Sequence, residues 1–309
     1  MLLQEKLPSF LGTGISNSKV RRLIMAGKVF VNQKQCRVPS FIVFFQSKVS
    51  VEIDEEKLFY EKETDDIKFE LTENNVLFED DYLLAVNKPS HFPSDKSIVE
   101  SRNNLSDEVK KYLFKKQKEL FPNLVNQPYS SILHRLDRDT SGVILFSKKR
   151  EVNNFCHEMF EKHLVKKEYL ALVNIQIGAE KYILQNEFTV DFPLGRISLK
   201  SQAAKWGKVP VEKGGKEAET HFKIEKKINK NLCLIRCFPK TGRTHQIRVH
   251  LSSVGLPIVG DFIYGNKNFE RILLHCQKLT FPHPVTKNQI EVISPLPKEF
   301  NLLIKEQSK

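Results

Sequence analysis

The sequence predicts an α+β protein: a large domain built on a mainly antiparallel, mixed β-sheet with flanking helices and loops, preceded by a small α/β domain at the N-terminus. Three observations support this fold class. Short apolar runs of strand length recur along most of the chain, with scattered helical patterns among them. The first 50 residues combine one amphipathic helix pattern with β-type runs. An acidic, polar stretch separates the two parts.

The division into two domains follows from the distribution of charge. Residues 1–50 contain eight Lys or Arg residues and one acid, Glu5, which gives them a net charge of +7. Residues 52–70 contain nine Asp or Glu residues, which is typical of a solvated linker. We therefore place the boundary near residue 60, with a small basic domain at 1–60 and a larger domain at 65–305.

In the small domain, the sequence predicts a helix followed by a hairpin. Side-chain oxygens at 16–18 can cap the helix, and Gly27 suits its left-handed end. Apolar residues recur inside it with helical spacing: Val20, Leu23 and Ile24. An apolar run at 29–31, a turn at 32–34 and a second apolar run at 41–45 predict the hairpin.

In the large domain, four apolar runs predict strands and two patterns predict helices. The strands fall at 82–86, 143–146, 169–173 and 231–235. The helical patterns are formed by Val152, Phe155 and Met159 and by Ile247, Leu251 and Val254. The second helix is predicted to end at Gly255, shortly before Pro257.

Composition excludes several classes of protein. The five cysteines include no CxxC pair, so neither a disulfide framework nor a structural zinc site is expected. The chain has no GxGxxG after a strand, no GxxxxGK[ST] and no HExxH motif, so we expect no cofactor and no metal. His245 and His250 are five residues apart, which does not place both on one helix face. We expect these two histidines and His134 to form hydrogen bonds within the fold or to phosphate.

Charge and hydropathy indicate the partner and the compartment. The net charge of +12 and the pI near 9.3 favour a polyanionic partner. No apolar run approaches the roughly 20 residues that span a bilayer, and the first residues lack a secretory pattern. We therefore expect a cytoplasmic protein that does not contact a membrane. No coiled coil or long apolar edge demands a partner subunit, so we expect a monomer.

The segment 131–148 contains the candidate catalytic group. A polar cluster at 134–142 stands between two apolar runs, and Arg135 and Arg138 flank Asp137 within it. Nearby cations keep a carboxylate ionised, and an ionised carboxylate can act as a nucleophile or base, or stabilise positive charge at a sugar carbon. The residues alone equally allow a turn with surface ion pairs.

The string at 134–142, HRLDRDTSG, resembles the HRLDxxTSG signature of the RluA-type RNA pseudouridine synthase family, which modifies ribosomal and transfer RNA. Other blocks follow in the order of the family and extend the resemblance over nearly all of residues 75–295. They are 83–89 (LLAVNKP), 167–171 (KEYLA), 193–196, 215–220, 241–250 (TGRTHQIRVH), 255–261 (GLPIVGD), 274–275 and 283–284. One departure is the loop at 90–94, SHFPS, where the family has a different run; this difference bears on RNA preference.

The resemblance implies roles for individual residues. The catalytic aspartate of the family falls on Asp137, its active-site tyrosine on Tyr169, and the arginine that pairs with the aspartate on Arg248. Tyr169 would stack on the uracil, and Arg248 would hold Asp137 through a bidentate pair. In the large domain, the residues expected to bind substrate or RNA are Arg135, Arg138, Thr140, Asn87, Lys88, Arg243 and His245.

Residues 16–32, SNSKVRRLIMAGKVFVN, resemble the αL RNA-binding motif of ribosomal proteins and RNA-modifying enzymes. The resemblance implies that Arg21, Arg22 and Lys28 bind RNA phosphate. Two positions depart from the motif: Gln33 replaces a glycine after the turn asparagine, and the residues at 46–47 replace a late Gly-Asp pair.

We therefore expect an isomerase that converts specific uridines of structured RNA to pseudouridine. Ribosomal RNA is favoured by the N-terminal module, and transfer RNA is the alternative. Whether Asp137 attacks C1′ or C6, or removes the C2′ proton, stays open. Two other functions also stay open. One is a catalytically silent RNA-binding or ribosome-assembly factor, and the other is a glycosidase-like hydrolase that would use Asp139 as its second acid.

Overall fold

The computed structural model describes residues 2–7, 17–25, 27–51, 66–95, 103–198, 205–266 and 269–307. These residues form two compact units, one that includes the chain up to Asp66 and one that includes the chain from Ile67 onward. The predicted boundary near residue 60 and the predicted cap at Ser16 lie outside the described residues.

The N-terminal unit contains two helices and a three-stranded antiparallel sheet with the order β2-β1-β3. Its elements are α1 (Leu3–Lys6), α2 (Asn17–Met25), β1 (Val29–Val31), β2 (Lys34–Cys36) and β3 (Val49–Val51). The apolar residues of α2 pack against the sheet: Val20, Leu23 and Ile24 are buried together with Val29 and Val31. The predicted helix is thus present, with its apolar stripe facing the small core.

The hairpin of this unit differs in part from the prediction. Asn32 and Gln33 form a two-residue turn between β1 and β2, and both have positive φ, as a type I′ turn requires. The run at 41–45 was predicted to be a strand, and this prediction was wrong. It forms only an isolated bridge between Leu2 and Ile42, and a turn follows in which Phe44 N–H donates to Ser47 Oγ. The third strand is β3 instead.

The large unit is built around a ten-stranded sheet with the order β4-β5-β7-β14-β8-β13-β12-β9, in which β6 pairs with β7 and β15 with β14. The β7–β14 pair is parallel and the other pairs are antiparallel, which confirms the predicted fold class. The strands of the sheet are β4 (Val76–Glu79), β5 (Leu83–Lys88), β6 (Ser131–Ile132), β7 (Ser141–Ser147), β8 (Lys166–Asn174), β9 (Glu187–Asp191), β12 (Glu219–Lys227), β13 (Leu232–Pro239), β14 (Leu274–Pro282) and β15 (Gln289–Ile293).

A separate hairpin and five helices complete the described part of this unit. The hairpin consists of β10 (Leu194–Arg196) and β11 (Trp206–Lys208). The helices are α3 (Leu105–Leu120), α4 (Arg150–Glu161), α5 (Glu180–Leu184), α6 (Gln246–Ser253) and α7 (Lys298–Gln307). The helices α4 and α6 confirm the two predicted from apolar spacing. Among the described residues, no helix has the length and apolar character needed to cross a membrane.

The parallel β7–β14 pair explains how distant segments meet. Parallel strands begin at the same end of a sheet, so the segments that precede β7 and β14 emerge side by side. At this point Gly142 has φ +120°, and a Cβ atom there would lie 2.2 Å from the Cys276 carbonyl oxygen. Only glycine allows the two backbones to approach so closely. The polar segment 133–140 therefore leaves the sheet next to the start of β14.

Candidate active site

The segment between β6 and β7 presents Asp137 from an anchored turn. Leu133 and Leu136 are buried in the main core, and the Thr140 N–H donates to the Asp137 carbonyl oxygen at 3.1 Å. The side chain of Asp137 remains 26% exposed. A carboxylate is thus held on a fixed backbone while its oxygens stay accessible.

Two nitrogen-bearing side chains face the same oxygen of Asp137. Arg248 Nη1 lies 3.7 Å from Oδ2, and His245 Nε2 lies 4.0 Å from it. Both residues come from the start of α6, where His245 has a left-handed backbone with φ 57° immediately before the helix. The fixed guanidinium charge favours an anion at this position.

Arg248 is 2% exposed and forms its bidentate pair with Asp261. Its Nε and Nη2 donate to the two Asp261 carboxylate oxygens at 2.8 Å each. The prediction that Arg248 forms a bidentate pair with Asp137 is therefore wrong. Asp261 binds the Nε–Nη2 edge of the guanidinium, and only Nη1 faces Asp137. Burial alone would lower the pKa of Arg248, but the hydrogen bonds and charge of Asp261 outweigh burial and raise it.

Tyr169 lies on β8 in the middle of the sheet, opposite Cys276 on β14 and Cys237 on β13, and is 8% exposed. Burial raises the pKa of Tyr169 well above its ordinary value, and the neighbouring Cys276 and the charge of Asp137 raise it further. The phenol is therefore neutral at physiological pH. The structure thus brings Asp137, Tyr169 and Arg248 into one neighbourhood.

Lys88 was expected to bind substrate or RNA, and the structure contradicts this expectation. The side chain is 0% exposed, and Nζ donates to the carbonyl oxygens of Pro89, Phe92 and Arg138 at 2.8 Å each. Burial lowers the pKa of Lys88 to about 7, while Asp139 and Asp137 act in the opposite direction. Because its three donors are filled by main-chain carbonyls, Lys88 fixes the backbone rather than contacting a ligand.

The loop at 90–94 that departs from the family pattern packs directly on the segment that carries Asp137. Phe92 N–H donates to the Arg138 carbonyl oxygen, and Ser94 Oγ donates to the Leu136 carbonyl oxygen at 2.6 Å. The Phe92 ring is fully buried and packs on Phe69 with a centroid distance of 5.1 Å. This loop therefore supports the turn that holds Asp137. The resemblance implied a position beside the active site and an effect on RNA preference, but not this support.

Thr140 and Arg138 also differ from their expected roles. Thr140 is 2% exposed and acts through its backbone in the Asp137 turn, so it does not offer a surface to RNA. Arg138 Nε pairs with Asp139 Oδ1 at 2.7 Å, and both side chains are largely buried. A buried, ion-paired Asp139 does not fit the second catalytic acid that a glycosidase-like reaction would need.

Three other predicted contacts of the large unit remain accessible. Arg135 and Arg243 are exposed, and Asn87 is half-buried on β5 beside Val143 of β7. Arg243 Nε donates to the Glu217 carbonyl oxygen at 2.9 Å, so its side chain is partly fixed.

In the N-terminal unit, Arg21 is exposed on α2 and Lys28 is half-buried before β1. The side chain of Arg22 lies outside the described part of the chain. The exposed position of Arg21 is compatible with contact to a phosphate backbone.

Two of the three singled-out histidines form hydrogen bonds within the fold, His250 fully buried and His134 half-buried. His134 Nε2 accepts the Leu145 N–H at 3.2 Å, and burial lowers its pKa to about 3. His250 Nδ1 lies 3.0 Å from Thr220 Oγ1, and burial lowers its pKa to about 4. Among the residues that the structure describes, no group of three or more His, Cys, Asp or Glu could hold a metal.

Two residues that contact the site were given no role from sequence. Asp261 pairs with Arg248, and Tyr264 Oη lies 2.8 Å from His245 Nδ1. The available signal was the block at 255–261, which contains Asp261, but the motif does not reveal which cation the carboxylate meets. Tyr264 lies just beyond that block and gave no signal of its own.

Comparison with known proteins gives matches over both units. Residues 82–253 match the family described as RNA pseudouridylate synthase, and residues 7–44 match the S4 domain. The chain is 33% identical over 311 residues to ribosomal large subunit pseudouridine synthase C of Buchnera aphidicola subsp. Schizaphis graminum, covering 96% of this chain and 91% of the relative. It is 32% identical over 320 residues to the protein of that name from Salmonella typhi, covering 96% and 90%.

Solved structures agree at the level of the fold. The structure of human RNA Pseudouridylate Synthase Domain Containing 4 is similar with a TM-score of 0.59 at 21% identity, covering 76% of this chain and 93% of that one. Human RNA Pseudouridylate Synthase Domain Containing 1 gives a TM-score of 0.53 at 22% identity, covering 75% and 94%.

Proposed function

The chain belongs to the RNA pseudouridylate synthase family and is an isomerase, and from this premise we propose that it modifies ribosomal RNA with Asp137 as its catalytic carboxylate. The observation that carries the proposal is the placement of Asp137. Its carboxylate stands on an anchored turn, partly exposed, beside the buried guanidinium of Arg248, and its charge raises the pKa of the Tyr169 phenol.

The chemistry of the reaction fits this set of residues. Conversion of uridine to pseudouridine breaks the N1–C1′ bond, turns the base and joins C5 to C1′, so every atom is retained. A carboxylate and groups that move protons are therefore sufficient for the chemical step. Asp137 would attack C1′ or C6, or remove the C2′ proton; all three routes require an ionised oxygen at the ribose or the base.

The base must leave the RNA stack before any of these routes can begin. Tyr169 would receive the flipped uracil against its ring, since an aromatic side chain stacks favourably on a base. Its hydroxyl is neutral at physiological pH because burial raises its pKa. A neutral phenol can donate a hydrogen bond to the uracil. It can accept the C5 proton only if another group removes the hydroxyl proton.

Arg248 would act as a fixed positive charge. Asp261 holds two of its nitrogens, so the guanidinium does not need to reorganise when charge changes on Asp137 or the ribose. In this assignment Arg248 orients Asp137 through Nη1 and contributes electrostatic stabilisation, while Asp261 maintains its position.

The N-terminal unit would supply RNA affinity. The match to the S4 domain and the net charge of +7 in residues 1–50 support binding to a phosphate backbone. Arg21, Arg22 and Lys28 are the proposed contacts there, and Arg135, Arg243, His245 and Asn87 are proposed to contact RNA around the active site. We propose the domain limits 1–60 and 65–305, a monomeric protein, and a cytoplasmic location.

The choice of ribosomal RNA rests on the relatives, whose names specify the ribosomal large subunit. Transfer RNA is the alternative. Deleting the gene and mapping pseudouridine across ribosomal and transfer RNA distinguishes the two. Loss of sites in large-subunit ribosomal RNA, restored by the wild-type gene, supports the proposal; loss confined to transfer RNA contradicts it.

The role of Asp137 is tested by Asp137→Asn, which keeps the shape of the side chain and removes its charge. Removal of a catalytic carboxylate is expected to lower kcat by about 10³-fold or more, measured as conversion of uridine in ribosomal RNA. Asp81→Asn changes an exposed aspartate next to β5 and should retain wild-type activity. Conversion by Asp137→Asn at a rate close to wild type would refute the assignment.

A further inference from the structure

Tyr264 contacts both of the side chains that face Asp137. Its hydroxyl oxygen is 2.8 Å from His245 Nδ1, and its ring lies 5.2 Å from the guanidinium carbon of Arg248. Its backbone carbonyl accepts a hydrogen bond from Ser252 Oγ on α6 at 2.7 Å, which attaches Tyr264 to the helix that carries His245 and Arg248. One residue is therefore placed to orient two neighbours of the carboxylate.

The hydrogen bonds around the Tyr264 hydroxyl have a preferred direction. The backbone N–H of Trp206, on the β10–β11 hairpin, donates to the hydroxyl oxygen at 2.8 Å. A main-chain N–H can only donate, so the hydroxyl oxygen is the acceptor in that bond. The hydroxyl proton is then directed toward His245 Nδ1, because in the reverse direction it would have no acceptor among the contacts described for this oxygen.

An Nδ1 that accepts a hydrogen bond carries no proton, so a neutral His245 has its hydrogen on Nε2. Nε2 lies 4.0 Å from Asp137 Oδ2. This separation is too long for a direct hydrogen bond and leaves the N–H directed into the space beside the carboxylate. A ribose hydroxyl or a uracil carbonyl of a bound nucleotide could accept that hydrogen bond.

The charged and titratable groups that face His245 come from three segments. They are Asp137 and Asp139 from the catalytic segment, Arg248 from α6, and Asp261 and Tyr264 from the segment after α6. Burial lowers the pKa of His245, and Asp137 opposes this effect while Arg248 adds to it. The imidazole is therefore neutral at pH 7.

We propose that Tyr264 is a positioning residue: its hydroxyl occupies Nδ1 of His245, holds the imidazole uncharged, and presents the Nε2–H to the substrate beside Asp137. This inference rests on the proposed role of Asp137. A His245 cation would instead pair with Asp137 and draw its charge away from the reacting ribose or base.

The variant Tyr264→Phe tests the hydroxyl alone, because the phenyl ring still packs on Arg248. A donor at Nδ1 disfavours protonation of that atom, so its removal raises the pKa of His245. We expect the titration of His245, followed by NMR of ¹⁵N-histidine-labelled protein without RNA, to move up by about 0.5–1 pH unit. The acid limb of kcat should move up by the same amount, while kcat at pH 8 stays within about threefold of wild type.

Two further variants make the outcome specific. His245→Asn removes the titrating group, and asparagine tolerates the left-handed backbone at this position. Adding Tyr264→Phe to His245→Asn should leave the acid limb where it is. Tyr129→Phe removes the hydroxyl of a tyrosine that packs on Arg150, at the opposite end of β7 from the catalytic segment, and should change neither the His245 titration nor kcat.

The proposal is overturned if His245 titrates at the same pH in Tyr264→Phe and in wild type. It is also overturned if Tyr264→Phe lowers kcat by the same factor at every pH. The NMR titration uses the free protein, so it gives its result whether or not Asp137 is the catalytic carboxylate. A shifted titration together with an active Asp137→Asn enzyme would refute the proposed function while retaining the hydrogen bond between Tyr264 and His245.

Discussion

Arg21 of the N-terminal unit and two cations near Asp137, Lys88 and Arg248, lie in opposite surroundings. Arg21 on α2 is exposed to solvent. In the active-site region, Lys88 and Arg248 are 0% and 2% exposed, and protein oxygens occupy their donors. An exposed cation can exchange counterions for RNA phosphate, whereas a buried cation stabilises the structure around it. Arg21 is therefore accessible to a phosphate backbone, whereas Lys88 and Arg248 stabilise the structure around them.

The two buried cations are also held differently. Arg248 meets a carboxylate, Asp261, so the pair carries no net charge and one guanidinium nitrogen remains directed at Asp137. Lys88 meets three neutral carbonyl oxygens and ties the loop after β5 to the backbone of Arg138. The first arrangement fixes a guanidinium group beside Asp137, and the second fixes the chain that carries Asp137. A variant that removes the Arg248–Asp261 pair and a variant that removes the Lys88 hydrogen bonds should therefore have different effects.

Asp261→Ala should have the largest effect on stability. It leaves the buried guanidinium of Arg248 without its bidentate partner, and loss of one partner of a buried pair costs about 3–5 kcal/mol. Denaturant unfolding followed by the fluorescence of Trp206, the single tryptophan of the chain, measures the change in the free energy of unfolding. Asp81→Ala, at an exposed position, is the matched control and should change it by less than about 0.5 kcal/mol. Equal values for the two variants would show that Asp261 does not compensate the Arg248 charge.

Lys88→Met should have the next largest effect on stability. Methionine keeps the length of the side chain but leaves the carbonyls of Pro89, Phe92 and Arg138 without the ammonium donors, at a cost of about 2–3 kcal/mol. Affinity for ribosomal RNA, corrected for the folded fraction, should stay at the wild-type value because Lys88 is inaccessible. Lys166→Met, on an exposed position of β8, serves as the control for stability. A folded Lys88→Met protein that binds RNA several-fold more weakly would restore the phosphate-binding role.

Apolar spacing and sequence motifs predicted much of the fold and of the candidate site. The α+β class, four strands (β5, β7, β8 and β13) and two helices (α4 and α6) of the large unit followed from apolar spacing. The family blocks drew attention to Asp137, Tyr169 and Arg248, which the structure brings together. Burial was not predictable, because it depends on which strands pair. Asn87 and Lys88 are adjacent in sequence, yet one is half-buried and the other is enclosed once β5 packs beside β7. The partner of Arg248 was missed for the same reason, since a motif lists residues without their contacts.

Acid should affect the large unit selectively, because all nine histidines of the chain lie from His91 onward. Burial lowers the pKa of His134 to about 3 and the pKa values of His250 and His275 to about 4. Between pH 6.5 and about 4 the unfolded chain binds protons that the folded chain does not, so stability falls as pH falls through this window. Each such histidine contributes about 1.4 kcal/mol per pH unit.

The variant His134→Gln measures one of these contributions. The glutamine oxygen can still accept the Leu145 N–H but does not titrate. Between pH 6.5 and pH 5.5, the variant should lose about 1 kcal/mol less unfolding free energy than wild type, measured by Trp206 fluorescence. His157→Gln, at an exposed position on α4, should follow the wild-type curve. Parallel curves for His134→Gln and wild type would show that His134 binds protons equally in the folded and unfolded states.

Arg21→Gln should give the smallest change, and it tests the exposed side of the comparison. Removing one phosphate contact is expected to weaken binding to ribosomal RNA by roughly threefold to tenfold, and to reduce the slope of log affinity against log salt concentration by about 1. The free energy of unfolding should stay within about 0.5 kcal/mol of wild type, because the side chain is exposed. Lys305→Gln, on an exposed position of α7, removes one cation from the large unit as a control. If both variants lower affinity and salt slope equally, RNA responds to net charge alone, and the N-terminal unit has no specific part in binding; a larger effect for Arg21 assigns the contact to α2.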